Sequence, residues 1–223
     1  MPRTLLLDLD GTLVDTAPDI EAALNRLMGT RGLAPFTRAD TASMIGDGVA
    51  VLVSRAFAAR GQEPDGRAIA DFSDDYGRHA AIASRAYPGV PALLRDLVAA
   101  GWRLAVCTNK PEAAARSLLA AVGILPLIGA IGGGDSFPAR KPDPAHLLAT
   151  LRLAGGDAQN AVMVGDHAND VLAARGAGVK SVFVTWGYGP PSMAAGADAV
   201  VSDLPALARA IDRFVPPGDG QVN

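Results

Sequence analysis

The sequence predicts an α/β fold: a parallel sheet with helices on both faces, and a helical segment inserted after the first strand. Two observations lead to this prediction. Short apolar runs alternate with alanine- and leucine-rich stretches of helical spacing along most of the chain, and strands that alternate with helices form parallel sheets. Residues 15–84 differ, because they contain helical patterns and no convincing strand.

The first strand is predicted at residues 5–9, a leucine-rich apolar run that is followed by Gly11. Leucine is common in helices as well as in strands, so this run is ambiguous by itself. The recurrence of similar runs favours a strand, because strands of a parallel sheet are buried on both faces and form continuous apolar segments. Further strands are predicted at residues 103–107, 127–131, 161–164 and 181–184, and helices between them at residues 111–122, 144–154 and 170–177.

The inserted segment is predicted to be a helical cap over residues 15–84. Pro18 suits the first turn of a helix, and Gly32 suits a helix end. The helices of the cap are predicted at residues 20–27, 49–58 and 69–81. We therefore expect two domains, a discontinuous core of residues 1–14 and 85–223 and a cap of residues 15–84.

Composition narrows the classes of function. The 223 residues carry a formal net charge of −3, without the basic stripe of a nucleic-acid-binding protein. The apolar start of the chain contains Asp8 and Asp10, which is unlike a signal peptide, and no run approaches the ~18 apolar residues of a membrane span. Cys107 is the single cysteine, so no intramolecular disulfide can form. We expect a cytoplasmic protein with no nucleic-acid or membrane partner; the sequence does not indicate its oligomeric state.

Two carboxylates, Asp8 and Asp10, stand at the end of the first predicted strand, in the sequence Asp-Leu-Asp-Gly-Thr. Side chains two residues apart share one face of a strand, and Gly11 lets the chain curl so that both reach one site. One carboxylate can attack phosphorus and form an acyl phosphate, and the second can protonate the leaving oxygen and later activate water. The alternative is a pair of surface acids beside a turn.

A second acidic group follows the strand predicted at residues 161–164. The sequence Gly-Asp-His-Ala-Asn-Asp puts Asp166 at the strand end and Asp170 one helical turn later. Carboxylate oxygens suit Mg²⁺, and the carboxyl ends of parallel strands meet at one edge of a sheet. Asp166 is therefore a candidate to complete a metal site begun by Asp8. The alternative is that Asp166 only caps a helix.

Three further polar residues are candidates. Lys141 precedes Pro142, which restricts it to extended backbone, and a fixed cation offsets the negative charge that accumulates when a phosphate group reacts. Thr108 and Asn109 follow the strand predicted at residues 103–107, where a hydroxyl and an amide can donate hydrogen bonds to a phosphate oxygen. Taken singly, each is also an ordinary loop residue.

Together, these motifs resemble those of the haloacid dehalogenase-like hydrolases. Asp-x-Asp-Gly-Thr near the start, Thr-Asn after the second core strand, Lys-Pro before the fourth and Gly-Asp-x-x-x-Asp after it match in order and setting, over residues 4–214. The resemblance implies a Rossmann-like parallel-sheet core with an inserted α-helical cap. That fold agrees with the insertion predicted from the residue patterns.

The resemblance also implies roles for the matching positions. Asp8 would be the nucleophile and a Mg²⁺ ligand. Asp10 would be the general acid and base, and its backbone carbonyl would also bind the metal. Asp166 would be the third protein ligand of Mg²⁺, and Thr108 and Lys141 would hold the transferring phosphate.

Two more positions receive supporting roles from the resemblance. Asp170 would support either the metal shell or Lys141, and the motif leaves both open. Asn109 would donate a hydrogen bond to substrate. The side chain of His167, beside the metal motif, is a further candidate to touch the site.

Within the family, three stretches are similar to the phosphoglycolate phosphatases: residues 8–16, residues 107–111 and residues 45–48. The implied activity is that of a Mg²⁺-dependent phosphatase. It would hydrolyse a small-metabolite phosphate monoester, with 2-phosphoglycolate the leading candidate, through an aspartyl-phosphate intermediate. Gly48 precedes a predicted helix whose free amides could hold a substrate carboxylate, although Asp47 opposes this by its charge.

Other activities stay open as alternatives. Phosphosugar mutases, and phosphatases of sugar phosphates or pyrophosphate, keep both Asp8 and Asp10. Dehalogenases and phosphonatases have no use for Asp10 as a leaving-group acid, and the cap contains no lysine for the Schiff-base chemistry of phosphonatases. Outside the enzymes, a phospho-aspartate signalling switch also uses an aspartate, Mg²⁺ and a lysine, but it needs neither Asp10 nor a large cap.

Overall fold

Strands and helices alternate along the chain in the computed structural model, which describes residues 2–79 and 81–217. The end of the predicted core, residues 218–223, lies outside the described residues. The strands are β1 (Thr4–Leu7), β2 (Val14–Asp15), β3 (Arg85–Ala86), β4 (Arg103–Cys107), β5 (Ala130–Gly132), β6 (Ala161–Gly165), β7 (Lys180–Val184) and β8 (Ala199–Val201). The α-helices are α1 (Ala17–Thr30), α2 (Arg38–Ala42), α3 (Val49–Ala58), α4 (Ala68–His79), α5 (Val90–Ala99), α6 (Glu112–Ala121), α7 (Pro144–Leu153), α8 (Ala168–Ala177) and α9 (Leu204–Phe214).

A six-stranded parallel sheet, with the strand order β5-β4-β1-β6-β7-β8, forms the centre. Successive side chains of β1 face opposite sides of it. Leu5 and Leu7 belong to one apolar cluster together with residues of α5, α6 and α9, and Leu6 belongs to another with residues of α7 and α8. Burial on both faces is the reason that the strands are unbroken apolar runs. The predicted α/β fold with a Rossmann-like core is confirmed.

Helices α1 to α4 form the inserted segment. They have an apolar cluster of their own, to which Leu24, Val53 and Phe72 belong. The flanking strands β2 and β3 pair in antiparallel fashion, so the chain leaves the sheet and returns to it at one place. The predicted helical insertion is confirmed, whereas its bounds as a domain, residues 15–84, stay a prediction.

A buried carboxylate fastens α1 to the segment that returns to the sheet. Asp19 accepts hydrogen bonds from the backbone N–H groups of Ala83 and Ser84 and from the hydroxyl of Ser84, at 2.6 to 3.1 Å. The inserted segment is thereby closed by polar contacts next to the β2–β3 pair.

Some elements differ from the prediction. The strand predicted at residues 127–131 begins only at Ala130, because the apolar run opens with a short 3₁₀ turn, Leu125–Leu127, that contains Pro126. Proline lacks the N–H that a central strand must donate, and it favours the first turn of a helix. The edge strand β8 has three residues, too few to give a recognisable pattern, and the sequence analysis does not predict it.

The longest helix, α1, has 14 residues. A membrane-spanning helix needs about 20 apolar residues. Among the described residues, none of the helices has both the length and the apolar character to cross a bilayer. The predicted cytoplasmic location stays a prediction.

Candidate active site

Asp8 lies at the carboxyl end of β1, between the ends of β4 and β6. Its backbone N–H donates to the carbonyl of Val164 over 2.9 Å, which extends the ladder between β1 and β6 by one residue. Its carboxylate is largely buried, and Oδ1 accepts a hydrogen bond from Lys141 Nζ at 2.9 Å. Oδ2 accepts none from the described residues. One oxygen of Asp8 is therefore held by a cation, and the other is available to react.

Lys141 is buried between two carboxylates. Its Nζ lies 2.9 Å from Asp8 Oδ1 and 2.6 Å from Asp170 Oδ1. Burial lowers the pKa of Lys141, but the charges of Asp170 and Asp8 outweigh burial, so the pKa is raised and the side chain stays an ammonium. The other oxygen of Asp170 accepts the backbone N–H of His167 at 3.0 Å. Because one oxygen of Asp170 already pairs with the Lys141 ammonium, its geometry favours the second of its two possible roles, the support of Lys141.

Asp166 is held by two loops. Oδ1 accepts a hydrogen bond from Thr12 Oγ1, and Oδ2 accepts one from the backbone N–H of Tyr188, both at 2.7 Å. The N-cap of α8 is His167, so the alternative that Asp166 only caps this helix is wrong. Burial, and then the charge of Asp8, raise the pKa of Asp166 to about 6 against the effect of both hydrogen bonds. The structure therefore holds the carboxylates of Asp8 and Asp166 close together, although their repulsion disfavours the charged form of Asp166.

The turn after Asp8 brings the chain against Asp166. The backbone N–H groups of Leu13 and Val14 both donate to the carbonyl of Leu9, which closes a tight loop. Gly11 has a φ of +82°, and a Cβ at this position would collide with the carboxylate of Asp166. Glycine is thus required twice over, by the backbone angle and by the close approach.

Asp10 pairs with a residue that the sequence analysis does not select. Lys110 Nζ lies 3.0 and 3.2 Å from the two carboxylate oxygens of Asp10. The Lys110 side chain is only 5% exposed, and Nζ lies 4.6 Å from the ring centroid of Tyr76 on α4. Burial lowers the pKa of Lys110, the Asp10 carboxylate reverses that effect, and the pKa is raised overall. Asp8 and Asp10 therefore face two different ammonium groups.

A cavity of about 340 Å³ lies between the sheet edge and the inserted helices. Asp8, Asp10, Thr108 and Lys110 line it from the sheet. The lining from the inserted segment is largely apolar and includes Ile45, Leu52, Phe72 and Tyr76. The charged groups are thus concentrated at one end of a largely apolar chamber.

Thr108 and Asn109 follow β4 and are both buried. The Asn109 side-chain N–H₂ donates to the carbonyl of Gly46 at 3.0 Å and to that of Lys141 at 2.9 Å. Both donors of this amide are therefore used to join the inserted segment to the lysine loop, and its role as a donor to substrate stays a prediction. The Thr108 hydroxyl accepts the backbone N–H of Lys110 at 3.2 Å and keeps its own proton for another acceptor.

The loop of residues 46–48 packs directly on the start of α8. Gly46 has a φ of +125°, and a Cβ there would lie 2.6 Å from the His167 ring. The side-chain amide of Asn169 donates to Asp47 Oδ1 at 2.6 Å. Gly48, with a φ of +87°, precedes α3 and lines the cavity, but its predicted contact with substrate stays a prediction. His167 thus serves the contact between the inserted segment and the core.

The acidic group of the site fits a hard divalent cation. Asp8, Asp166 and Asp170 offer oxygen atoms that all lie within 4.8 Å of one another. The group consists only of carboxylates, which Mg²⁺ prefers, whereas zinc favours His and Cys ligands. Asp170 Oδ1 already faces the Lys141 ammonium, whereas Asp8 has one oxygen without a donor and Asp166 is held only by neutral donors, so Asp8 and Asp166 are the two best placed to bind a cation.

Comparison with known proteins agrees with this geometry. A family model described as haloacid dehalogenase-like hydrolase matches residues 2–178. The chain belongs to this family. The predicted resemblance is therefore confirmed, and the site lies where this hydrolase has its four motifs.

Similar proteins cover nearly all of this hydrolase. It is 46% identical to a phosphoglycolate phosphatase of Cereibacter sphaeroides over 82% of this chain and 85% of that protein. It is 44% identical to a phosphoglycolate phosphatase of Agrobacterium fabrum over 92% and 91% of the two chains. The crystal structure of a predicted phosphoglycolate phosphatase from Haemophilus somnus superimposes with a TM-score of 0.85 at 31% identity, over 93% and 97% of the two chains.

Sequence reasoning misses two residues of the site, Lys110 and Tyr76, and it predicts that the stretch of residues 186–189, which contains Tyr188, either flanks the site or covers the core. A signal for Lys110 exists, because only three of the 20 basic residues are lysines and two of these, Lys110 and Lys141, lie in the site. Tyr76 has no such signal. Tyr188 accepts the backbone N–H groups of Thr16 and Ala17 and lies far from both in sequence.

Proposed function

We propose that this hydrolase is a Mg²⁺-dependent phosphatase that removes phosphate from 2-phosphoglycolate, through a phosphoryl group carried on Asp8. The observation that carries the proposal is a pair of carboxylates in one cavity with different partners, Asp8 beside Lys141 and Asp10 beside Lys110. A covalent route needs a nucleophile and a separate acid, and two carboxylates that line one cavity can supply them.

In the first step, Asp8 Oδ2 attacks phosphorus. An oxygen–phosphorus bond forms to Asp8 as the ester bond breaks, and the bonding electrons pass to the leaving oxygen. Asp10, in its protonated form, donates its proton to that oxygen, and glycolate leaves. Lys141 and the hydroxyl of Thr108 bind the oxygens of the transferring group, where negative charge accumulates.

In the second step, Asp10 is a carboxylate and acts as the base. It takes a proton from a water molecule whose oxygen attacks phosphorus. The bond between phosphorus and Asp8 breaks, which releases phosphate and restores both aspartates to their starting states. Asp10 can be the acid in the first step and the base in the second, because each step leaves it in the protonation state that the next step needs.

The carboxylates of Asp8 and Asp166 and the backbone carbonyl of Asp10 would hold Mg²⁺, and Asp170 would orient Lys141. Bound Mg²⁺ supplies charge neutralisation for the phosphate oxygens and for the two adjacent acids. The raised pKa of Asp166 supports this assignment, because it reflects burial and then the charge of Asp8, and a bound cation would offset both.

The choice of substrate rests on the similar proteins and on the chamber. Relatives at 44–46% identity over most of the chain are phosphoglycolate phosphatases. The cavity lies beneath the inserted helices, which suits a small ester and excludes a folded phosphoprotein. Asn109 and Gly48 line the same cavity and would contact this substrate.

The test is a phosphate-release assay with Mg²⁺ on 2-phosphoglycolate, glucose 6-phosphate, β-glucose 1-phosphate and pyrophosphate. We expect the highest kcat/KM with 2-phosphoglycolate. Faster release from a sugar phosphate or from pyrophosphate would refute the substrate assignment. Conversion of β-glucose 1-phosphate to glucose 6-phosphate without phosphate release would identify the enzyme as a mutase instead.

A further inference from the structure

Lys110 has no part in the proposed reaction, although its position is unusual. It is one of three lysines in the chain, its side chain is 5% exposed, and it lies at the charged end of the cavity. A buried ammonium is costly to desolvate unless an anion pairs with it. Here that anion is Asp10, at 3.0 and 3.2 Å.

This ion pair conflicts with the work proposed for Asp10. A leaving-group acid must point at the leaving oxygen with its proton, whereas both oxygens of Asp10 are directed at Lys110. The side chain must be released before it can act. Release without a replacement would leave Lys110 buried and unpaired, which is strongly unfavourable.

A second polar group next to Lys110 also awaits a partner. Tyr76 is 5% exposed, and its hydroxyl is buried without a hydrogen-bond partner among the described residues. Its ring lies against the Lys110 ammonium, and both residues line the cavity. A hydroxyl donor and an ammonium side by side would be satisfied together by one anionic group in the cavity.

We propose that the carboxylate of the substrate replaces Asp10 as the partner of Lys110, with Tyr76 as a second contact, and so frees Asp10 to reach the leaving oxygen. The exchange keeps one anion on Lys110 before and after binding, so no buried cation is left uncompensated. The released Asp10 takes up a proton from water, and it is this proton that passes to the leaving oxygen. It rests on the proposed function. In 2-phosphoglycolate a single methylene separates the carboxylate from the ester oxygen, so the groups that bind these two sites must be neighbours, as Lys110 and Asp10 are.

Under this scheme Lys110 sets specificity through kcat as well as through KM. A substrate without the carboxylate leaves Asp10 paired with Lys110, so Asp10 cannot donate its proton in the chemical step. A lysine that only improved binding would change KM and leave kcat alone.

The first measurement compares 2-phosphoglycolate with 2-hydroxyethyl phosphate, which has a hydroxymethyl group in place of the carboxylate. Phosphate release by the Mg²⁺-loaded wild type gives kcat and KM for each. We expect kcat for the ester without the carboxylate to be lower by about 10-fold or more, up to the 10²–10⁴-fold that acid–base assistance supplies. Equal kcat values for the two esters would overturn the proposal without any variant.

The second measurement uses Lys110→Met, in which Asp10 has no ammonium partner. We expect kcat/KM for 2-phosphoglycolate to fall by about 10²-fold and kcat for 2-hydroxyethyl phosphate to rise, so that the discrimination collapses. The matched control is Lys180→Met, which removes an exposed lysine paired with Asp198 and should leave both substrates unaffected. An equal loss on both substrates in Lys110→Met would show a merely structural lysine and overturn the proposal.

Tyr76→Phe covers the case in which Lys110→Met fails to fold. It removes one oxygen atom and keeps the ring against Lys110. We expect a higher KM for 2-phosphoglycolate and an unchanged KM for 2-hydroxyethyl phosphate; equal effects on both would count against the proposal. A wild type that hydrolyses other esters but not 2-phosphoglycolate would refute the proposed function itself, whereas normal turnover without discrimination in kcat refutes only the role of Lys110.

Discussion

At the scale of single residues, the site separates two aspartates that stand two positions apart in the chain. Asp8 faces Lys141 across 2.9 Å, and Asp10 faces Lys110 across 3.0 Å. The turn around Gly11 makes this possible, because it redirects the backbone immediately after Asp8. Replacing Asp8 and replacing Asp10 should therefore impair the reaction in different ways.

Asp8→Asn and Asp10→Asn should be distinguishable by the phosphoenzyme that each forms. Asp8→Asn removes the proposed nucleophile, so we expect no turnover and no phosphate on the protein. Asp10→Asn keeps that nucleophile but lacks the proposed acid and base, whose assistance is worth about 10²–10⁴-fold. With a nitrophenyl ester, whose leaving group needs little protonation, it should form the phosphoenzyme and hydrolyse it slowly.

The measurement is phosphate incorporated per chain after an acid quench. Asp10→Asn also leaves Lys110 without its anion, so folding of this variant should be checked by circular dichroism first. Stable phosphoenzyme in Asp8→Asn, or wild-type turnover of 2-phosphoglycolate in Asp10→Asn, would contradict the assigned roles.

The residues that the sequence predicts are those whose motif lies on a strand end. Asp8, Thr108 and Asp166 each follow a core strand directly, so the topology of a parallel sheet is enough to bring them together. Lys110 and Tyr76 meet only because α4 is placed over the sheet edge. Local sequence carries no information on that placement, and the pairing of Lys110 with Asp10 could not be predicted.

At the scale of elements, Asp19 fastens α1 to the returning chain. Burial raises the pKa of Asp19, but the hydrogen bonds from Ser84 and Ala83 together outweigh it, so the pKa is lower than its ordinary value. A carboxylate whose pKa is lower in the folded state stabilises the protein above its unfolded pKa of about 3.9. That stabilisation is lost as the pH falls through the folded pKa.

Asp19→Asn should therefore lower the free energy of unfolding by about 1–3 kcal/mol at pH 7, since charged hydrogen bonds to buried donors are lost. The difference between wild type and variant should shrink as the pH is lowered below about 4. Urea denaturation at several pH values measures both effects. The control is Asp74→Asn on the exposed side of α4; an equal loss of stability in that variant, or a difference independent of pH, would contradict the prediction.

The loop of residues 46–48 packs the inserted segment against the core, and Gly46 allows that contact. In Gly46→Ala the new methyl group meets the His167 ring at 2.6 Å, on a backbone of φ +125° that alanine rarely adopts. We expect the loop to shift and kcat/KM for 2-phosphoglycolate to fall by about 10²-fold, the cost of a small misplacement.

Gly29→Ala is the matched control, because this glycine lies in α1 and an added Cβ meets no atom within 4 Å. It should stabilise the protein by about 0.5–1 kcal/mol and leave kcat/KM unchanged. Wild-type kcat/KM in Gly46→Ala would show that this loop contact is not needed for activity.

Helices with regular apolar spacing are predicted closely, as the agreement for α3 and α7 shows. The errors fall where a short segment gives an ambiguous pattern. Pro126 makes a 3₁₀ turn out of the beginning of an apolar run, and Ala199–Val201 forms an edge strand only because β7 is already there to pair with it. Such elements depend on a neighbour and not on their own sequence.

At the scale of the whole molecule, the site contains more buried and half-buried acids than bases. Asp8, Asp10, Asp166 and Asp170 face only Lys110 and Lys141 among the lysines. A divalent cation that binds only the folded state balances this charge and stabilises the fold by mass action.

Mg²⁺ should therefore raise Tm, by an amount equivalent to about 2.7 kcal/mol when its concentration is 100 times its Kd. The thermal shift should be smaller in Asp166→Asn, which lacks one of the two carboxylates best placed to bind the ion. Excess chelator should abolish phosphate release, and re-added Mg²⁺ should restore it. Full turnover in excess chelator would contradict the proposed metal dependence.

The antiparallel pair of β2 and β3 makes the inserted helices exchangeable in principle. Val14 lies opposite Ala86 and Asp15 opposite Arg85, so the two ends of the insertion are neighbours in space. A segment whose ends already meet can be replaced by another with the same spacing at little entropic cost to the host. Asp8 and its chemistry would remain on the sheet, and a grafted segment would supply a different lining for the cavity. Protein engineers could thus combine one phosphoryl-transfer core with many different inserted segments and select among the products for activity on new substrates.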